Sequence, residues 1–401
     1  MRNQIILGAL SAAALATGIL SAANALLADA HTAPAIEAAN STKAATNVPK
    51  EVQRLKVKGY INAVAWNVDG SRLAALSEFG SVITLWETKT WTKLNEFRRV
   101  SGPYAFNSLE FLPDGTLLTA NAGSIDKTKS YDDAYLADVK HNGENIAALG
   151  HFSLIQWNPE TGTPLHYFPN VEHPSKDIPE HVGITDTFTV SKDGSLIAGI
   201  NGWGMELYDA KGNLLRHMAI PLMPGHYKEF LEAVAFSPDG KELAVSNISG
   251  IVYFVSVADG SIVRSLTAFP QNQYHASALA YSSDGRFIAT GKYKNHNVRE
   301  PNNLSTYIWQ VSDGQLIASL PGSTEPIGDK EEANVVRTMS WSPVGGILAV
   351  GDDGSLRIWS ISESKQTLLL VKQMAHGTFC LSFSPQGVLA ATDNNQVVIY
   401  K

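Results

Sequence analysis

Glu232-Ala233-Val234-Ala235-Phe236-Ser237-Pro238-Asp239-Gly240-Lys241-Glu242-Leu243-Ala244-Val245-Ser246 decides the fold. Apolar residues alternate up to Phe236, a Ser-Pro-Asp-Gly turn follows, and alternation resumes at Leu243. Proline presets φ, aspartate accepts from the backbone ahead of it, and glycine takes a positive φ, so the stretch predicts a β-hairpin. One hairpin specifies no fold, but this one has six weaker copies. Their turns are Val68-Asp69-Gly70, Pro113-Asp114-Gly115, Lys192-Asp193-Gly194, Ser283-Asp284-Gly285, Pro343-Val344-Gly345 and Pro385-Gln386-Gly387. Successive turn glycines lie 45, 79, 46, 45, 60 and 42 residues apart. Four of the six intervals are near 45, and a period in that range marks a solenoid or a propeller.

Each unit repeats one internal order. An alternating strand precedes the turn, as in Asn62-Ala63-Val64-Ala65-Trp66 and Arg337-Thr338-Met339-Ser340-Trp341. A small-residue apolar strand follows it, as in Leu73-Ala74-Ala75-Leu76. A third strand ends in an aromatic residue: Trp86, Trp157, Tyr208, Trp359 or Tyr400. A more polar fourth strand closes the unit, as in Leu94-Asn95-Glu96-Phe97. Four short antiparallel strands repeated seven times predict an all-β, seven-bladed β-propeller. The seventh unit lacks a fourth strand, and the unassigned candidate is the alternating segment 52–58. That N-terminal strand is expected to complete the last blade and cover its edge.

Over residues 50–401 the pattern resembles the WD40-repeat family. The resemblance rests on Phe236-Ser237-Pro238-Asp239-Gly240, on Trp341-Ser342-Pro343 and Phe383-Ser384-Pro385, and on Gly351-Asp352-Asp353-Gly354-Ser355-Leu356-Arg357-Ile358-Trp359. The Trp-Asp dipeptide of the family is absent: Trp86 precedes Glu87, Trp157 precedes Asn158 and Trp309 precedes Gln310. The resemblance implies a scaffold that binds other proteins or peptides on its loop face.

The first fifty residues differ from the rest. A short start carrying Arg2 leads into an apolar or small stretch over 5–20, followed by Ala23-Asn24-Ala25 and Ala28-Asp29-Ala30. This predicts a signal peptide over 1–30, cut after Ala25 or Ala30, and export to a bacterial periplasm. A retained N-terminal membrane anchor is the alternative. Residues 31–49 read as a flexible linker. Cys380 is the single cysteine, so no intrachain disulfide forms, and its alternating context predicts a packed thiol. The net charge of −7 and the lack of a basic run argue against nucleic acid as a partner.

Function is expected where the 45-residue rhythm breaks. The insertions fall at about 121–150 and 291–305, both between second and third strands. Long blade-to-blade segments open on the same face, whereas the other face has only tight turns. Long loops on a rigid scaffold carry binding residues. The candidate partner-binding face comprises Tyr131, Asp132, Asp133, Tyr135 and His141 from the first insertion, Tyr293, His296 and Arg299 from the second, and Trp203 and Tyr227 from shorter loops. The acids and His141 are of ligand type, but they do not fit an EF-hand spacing, and no metal or cofactor is expected. The chain has no nucleophile elbow, Walker loop or zinc-protease motif, so it is read as a non-enzyme. The rival readings are an enzyme or small-ligand binder using the central channel, and a polysaccharide binder using Tyr104, Tyr131, Trp203 and Tyr227.

Overall fold

The computed structural model describes residues 48–401 except 79, 81, 99–107, 121–151, 170–186, 201–203, 221–230, 270–273, 295–303, 323–334 and 375–376. Among the described residues every regular element is a strand, and no helix is long and apolar enough to cross a membrane.

The chain enters with β1 (Glu51–Lys56) and then builds blades in order. Blade one is β2 (Ile61–Trp66), β3 (Arg72–Ser77), β4 (Val82–Glu87) and β5 (Lys93–Arg98). Blade two is β6 (Leu109–Phe111), β7 (Leu117–Ala120), β8 (Phe152–Trp157) and β9 (Pro164–Pro169). Blade three is β10 (Thr187–Val190), β11 (Leu196–Ile200), β12 (Gly204–Asp209) and β13 (Leu214–Ala219). Blade four is β14 (Leu231–Phe236), β15 (Glu242–Asn247), β16 (Ile251–Ser256) and β17 (Ile262–Thr267). Blade five is β18 (Tyr274–Tyr281), β19 (Phe287–Lys294), β20 (Leu304–Gln310) and β21 (Leu316–Pro321). Blade six is β22 (Val336–Trp341), β23 (Ile347–Asp352), β24 (Ser355–Ile361) and β25 (Gln366–Gln373). Blade seven is β26 (Leu381–Phe383), β27 (Leu389–Asp393) and β28 (Gln396–Tyr400), with β1 as its fourth strand. All seven sheets are antiparallel, and the propeller expectation holds.

The serine of the opening motif explains the turns. In blade four Ser237 Oγ donates to Asp239 (2.7 Å) and accepts from the Glu242 N–H (3.0 Å), while Asp239 accepts from the Lys241 N–H (3.1 Å). Ser191 and Asp193 do the same in blade three, and Ser282 and Asp284 in blade five. The side chains replace hydrogen bonds that the reversing backbone cannot make to itself.

A single sheet cannot bury both its faces, so the blades bury one another. Apolar clusters lie between all seven pairs of neighbouring blades. The third-strand aromatics Trp86, Trp157, Tyr208, Trp309, Trp359 and Tyr400 are all buried in these interfaces. The ring closes where β1 pairs with β28, Leu55 opposite Val397. Lys50 and Lys401 exchange two backbone bonds (2.7 and 2.9 Å), and Arg54 reaches Gln396 (2.7 Å) and Asp393 (3.2 Å). The expectation that an N-terminal strand completes the last blade is met.

One segment departs from expectation. The blade-five insertion was expected from about residue 291, but β19 runs on to Lys294 because β18 is also long enough to pair with it, Tyr274 opposite Lys294 and Ala276 opposite Lys292. Lys292 is almost wholly buried, with its ammonium 4.4 Å from the Tyr274 ring centre. An aromatic face compensates part of the loss of water.

Candidate partner-binding face

The starts of the first strands form one rim of the disc, together with the turns between second and third strands. At this rim the ladder is irregular at one place in four blades. The register shifts across Asn62 in β2, Glu232 in β14, Ser277 in β18 and Arg337 in β22. A bulge inserts one residue against the partner strand and re-aims its side chain. Ser277 uses this freedom to bind the next blade, donating to the Val336 carbonyl (2.8 Å).

The side chains at this rim make a continuous chain of contacts from blade four to blade seven. Glu232 Oε1 lies 3.3 Å from His275 Nδ1, a charged pair only when His275 is protonated. The His275 ring stacks on Tyr293, its cross-strand partner, with centroids 5.3 Å apart and planes 22° apart. The Arg337 guanidinium carbon is 5.7 Å from the centre of Tyr293 and 5.9 Å from that of Phe379. Arg337 Nε also donates to Asp353 Oδ1 (2.6 Å). The carboxylate fixes the guanidinium, and the guanidinium in turn lies near two aromatic rings. Phe379 remains 44% exposed, and Tyr60, at the start of the neighbouring first strand, remains 51% exposed. Phe379 thus faces water near an oriented arginine, and Tyr60 faces water at the same rim on the next blade.

Of the residues expected from sequence, Tyr293 falls in this cluster. Tyr131, Asp132, Asp133, Tyr135, His141, Trp203, Tyr227, His296 and Arg299 lie outside the described residues. Glu232, His275, Arg337, Asp353, Phe379 and Tyr60 were not singled out as partner-binding residues. A signal for three of them existed: Glu232, His275 and Arg337 each occupy the second position of a first strand that is otherwise mostly apolar or small. Cys380, beside Phe379, is half-buried and donates to the Asn62 carbonyl, and burial pushes its thiol up to about 12. It therefore acts as a packed group rather than a thiolate. Among the described residues no three His, Cys, Asp or Glu side chains converge as a metal site.

Fold and repeat together define the class. The WD40 family model (WD domain, G-beta repeat) matches residues 314–360, from the end of blade five through Trp359. A chain in the crystal structure of the mitotic checkpoint complex superposes with a TM-score of 0.62 at 14% identity, covering 91% of this chain and 96% of that one. The chain is a WD40-repeat-like seven-bladed propeller. Its relatives include the 66 kDa stress protein of Physarum polycephalum, 26% identical over 43% of this chain, and WD repeat-containing protein 1 of Gallus gallus, 25% identical over 42%. An uncharacterised WD repeat-containing protein of Synechocystis is 26% identical over 40% of each chain. The matches span only 25% and 24% of the Physarum and chicken proteins' own lengths.

Proposed function

We propose that this protein is a non-enzymatic interaction scaffold that binds a protein partner through its loop face, at the rim formed by Tyr60, Phe379, Tyr293 and Arg337. The observation that carries the reading is the exposed Phe379 near an arginine oriented by Asp353, with exposed Tyr60 at the same rim. Aromatic residues and arginine dominate the energy of protein interfaces, and an arginine held in place before binding loses less entropy on binding. The WD-repeat relatives support a scaffold in general terms. The signal-like pattern over 1–30 supports placing it outside the cytoplasm, in a bacterial envelope.

The test is affinity capture from an envelope extract with wild-type protein and the Tyr60→Ser and Phe379→Ser variants. Both side chains are exposed, so the variants keep their fold within about 0.5 kcal/mol. A specific partner is expected with wild type and lost with the double variant. Equal recovery by both proteins rejects the rim as the binding site.

A further inference from the structure

β1 differs from the other fourth strands in how the chain holds it. In blades one to six a short turn ties the fourth strand to the third. No turn ties β1 to β28, which lie at opposite ends of the described chain. Pairing them carries a loop-closure cost that the turn spares every other blade.

Backbone strain collects at the same seam. Among the described residues, three besides glycine have a left-handed backbone: Glu78 (φ 51°), Trp91 (φ 58°) and Asn394 (φ 57°). That conformation is an outlier for a bulky residue, and it persists only where the surrounding structure enforces it. Asn394 lies in the turn from β27 to β28, where the carbonyl of Asn395 accepts from the Val57 N–H (3.0 Å). The Glu78 N–H donates to the Tyr60 carbonyl (3.1 Å), where the chain passes from β1 to β2.

Trp91 stands where other blades have glycine. In its turn the Glu87 N–H donates to the Thr92 carbonyl (2.9 Å), as Asn158 does to Thr163, Ser256 to Ser261 and Gln310 to Gln315. The residue before that carbonyl is Gly162, Gly260 or Gly314 in blades two, four and five, with φ of 71°, 77° and 72°. Two of these glycines admit a side chain from the preceding blade's fourth strand. A Cβ on Gly162 would lie 2.5 Å from Phe97 Cγ, and one on Gly260 2.9 Å from Arg216 Cδ. For blade one the preceding fourth strand is β1, and here the turn supplies the large side chain instead. The Trp91 ring packs edge-on to Trp66 (centroids 6.1 Å apart, planes at 71°) and against the seam cluster that includes Leu55, Val57 and Val397. Trp66 in turn donates from Nε1 to the Ser382 carbonyl of blade seven (3.1 Å).

We propose that β1 is a releasable strap and Trp91 its clamp. The seam between blades seven and one opens as a unit while the other blades stay shut, and the Trp91 backbone relaxes as it opens. Packing in the closed seam holds Trp91 left-handed, so the strain is stored in the closed ring and released on opening. Opening uncovers the edge of β28. This device does not depend on the loop-face reading.

Hydrogen exchange of the full chain tests it, comparing β28 with β16, which holds the same place in blade four under β17. In wild type β28 is expected to exchange about tenfold faster than β16 and to keep its rate in low urea, whereas β16 follows global unfolding and speeds up. Trp91→Ala removes the ring and keeps the strain, and Trp91→Gly removes both. Both variants are expected to speed β28, alanine about fivefold more than glycine. Gly194→Ala, in blade three, lowers global stability and is expected to leave β28 exchange unchanged, because its contacts survive seam opening. The proposal is overturned if β28 and β16 share one rate and one urea dependence, if either Trp91 variant leaves β28 unchanged, if alanine and glycine act equally, or if Gly194→Ala speeds β28.

Discussion

Asp352 has no contact with solvent in the turn between β23 and β24, and it accepts from the N–H groups of Gly354 (2.9 Å) and Ser355 (2.6 Å). Its other oxygen accepts from Arg357, which is nearly as buried. Removing one member of such a pair strands the other charge in a poor solvent. Asp352→Ala is expected to cost about 3–5 kcal/mol in urea unfolding, and Asp352→Ala with Arg357→Met to recover much of it. If the double variant is no better than the single one, the lost turn bonds outweigh the stranded charge. Glu110 gives a second residue-level prediction, with the opposite sign from an ordinary paired carboxylate. Its carboxyl titrates near 7 in the fold and near 4.5 when unfolded, so ionisation opposes folding and stability falls as pH rises from about 4.5 to 7. Glu110→Gln therefore raises the melting temperature at pH 8 and leaves it unchanged at pH 4. The exposure of Glu110 to solvent screens the effect to about 1 kcal/mol or less. Neither environment was legible in the sequence. Asp352 and Arg357 stood in a quoted motif, but their burial depends on the strands packed around them. Glu110 stood in a short strand beside Leu109 and Phe111, and part of what surrounds that strand comes from β2 and β3 of the neighbouring blade.

Hairpins and bulges show how much each element specifies. The Ser-Pro-Asp-Gly turn was readable because its side chains act on their own backbone. Gly240 and Gly194 share the same left-handed conformation, with φ of 70° and 71°. Their surroundings differ: a Cβ on Gly240 meets nothing within 4 Å, whereas one on Gly194 lies 2.0 Å from Pro113 Cγ of the preceding blade. Gly240→Ala is expected to cost about 1 kcal/mol, from backbone conformation alone. Gly194→Ala is expected to cost at least about 1 kcal/mol more, because the proline ring must move. Equal melting temperatures for the two variants would show that the turn packing between blades contributes nothing. Sequence predicted both hairpins equally well and gave no means of separating them, since the Pro113 contact crosses 81 residues. The bulges were likewise hidden. Alternation fixed each first strand, but one extra residue at Asn62, Glu232, Ser277 or Arg337 leaves the apolar pattern on either side intact. These bulges seat Glu232 and Arg337 at the rim, which is why the loops were legible as a candidate face and the rim was not.

At the scale of the molecule, period and strand order were sufficient to predict seven blades and their closure. Radial packing makes every blade the cover of the next, so an incomplete seventh unit called for a strand from elsewhere. Deleting residues 48–57 removes β1 and exposes β28, whose Val397, Val398 and Ile399 side chains are fully buried in the intact ring. The truncated chain is expected to melt at lower temperature and to associate on a sizing column, because an apolar edge strand pairs with other chains. A truncated chain that stays monomeric at full stability would mean that closure is dispensable. The two faces of the closed ring then differ in kind: one holds interlocked turns, the other holds the rim of Tyr60, Phe379, Tyr293 and Arg337. Site-specific photo-crosslinking discriminates them most directly. With a crosslinking amino acid placed at position 379 or at Val344 on the turn face, a partner adduct is expected from 379 and none from 344. Adducts from 344 alone, or equally from both, would contradict a loop-face scaffold.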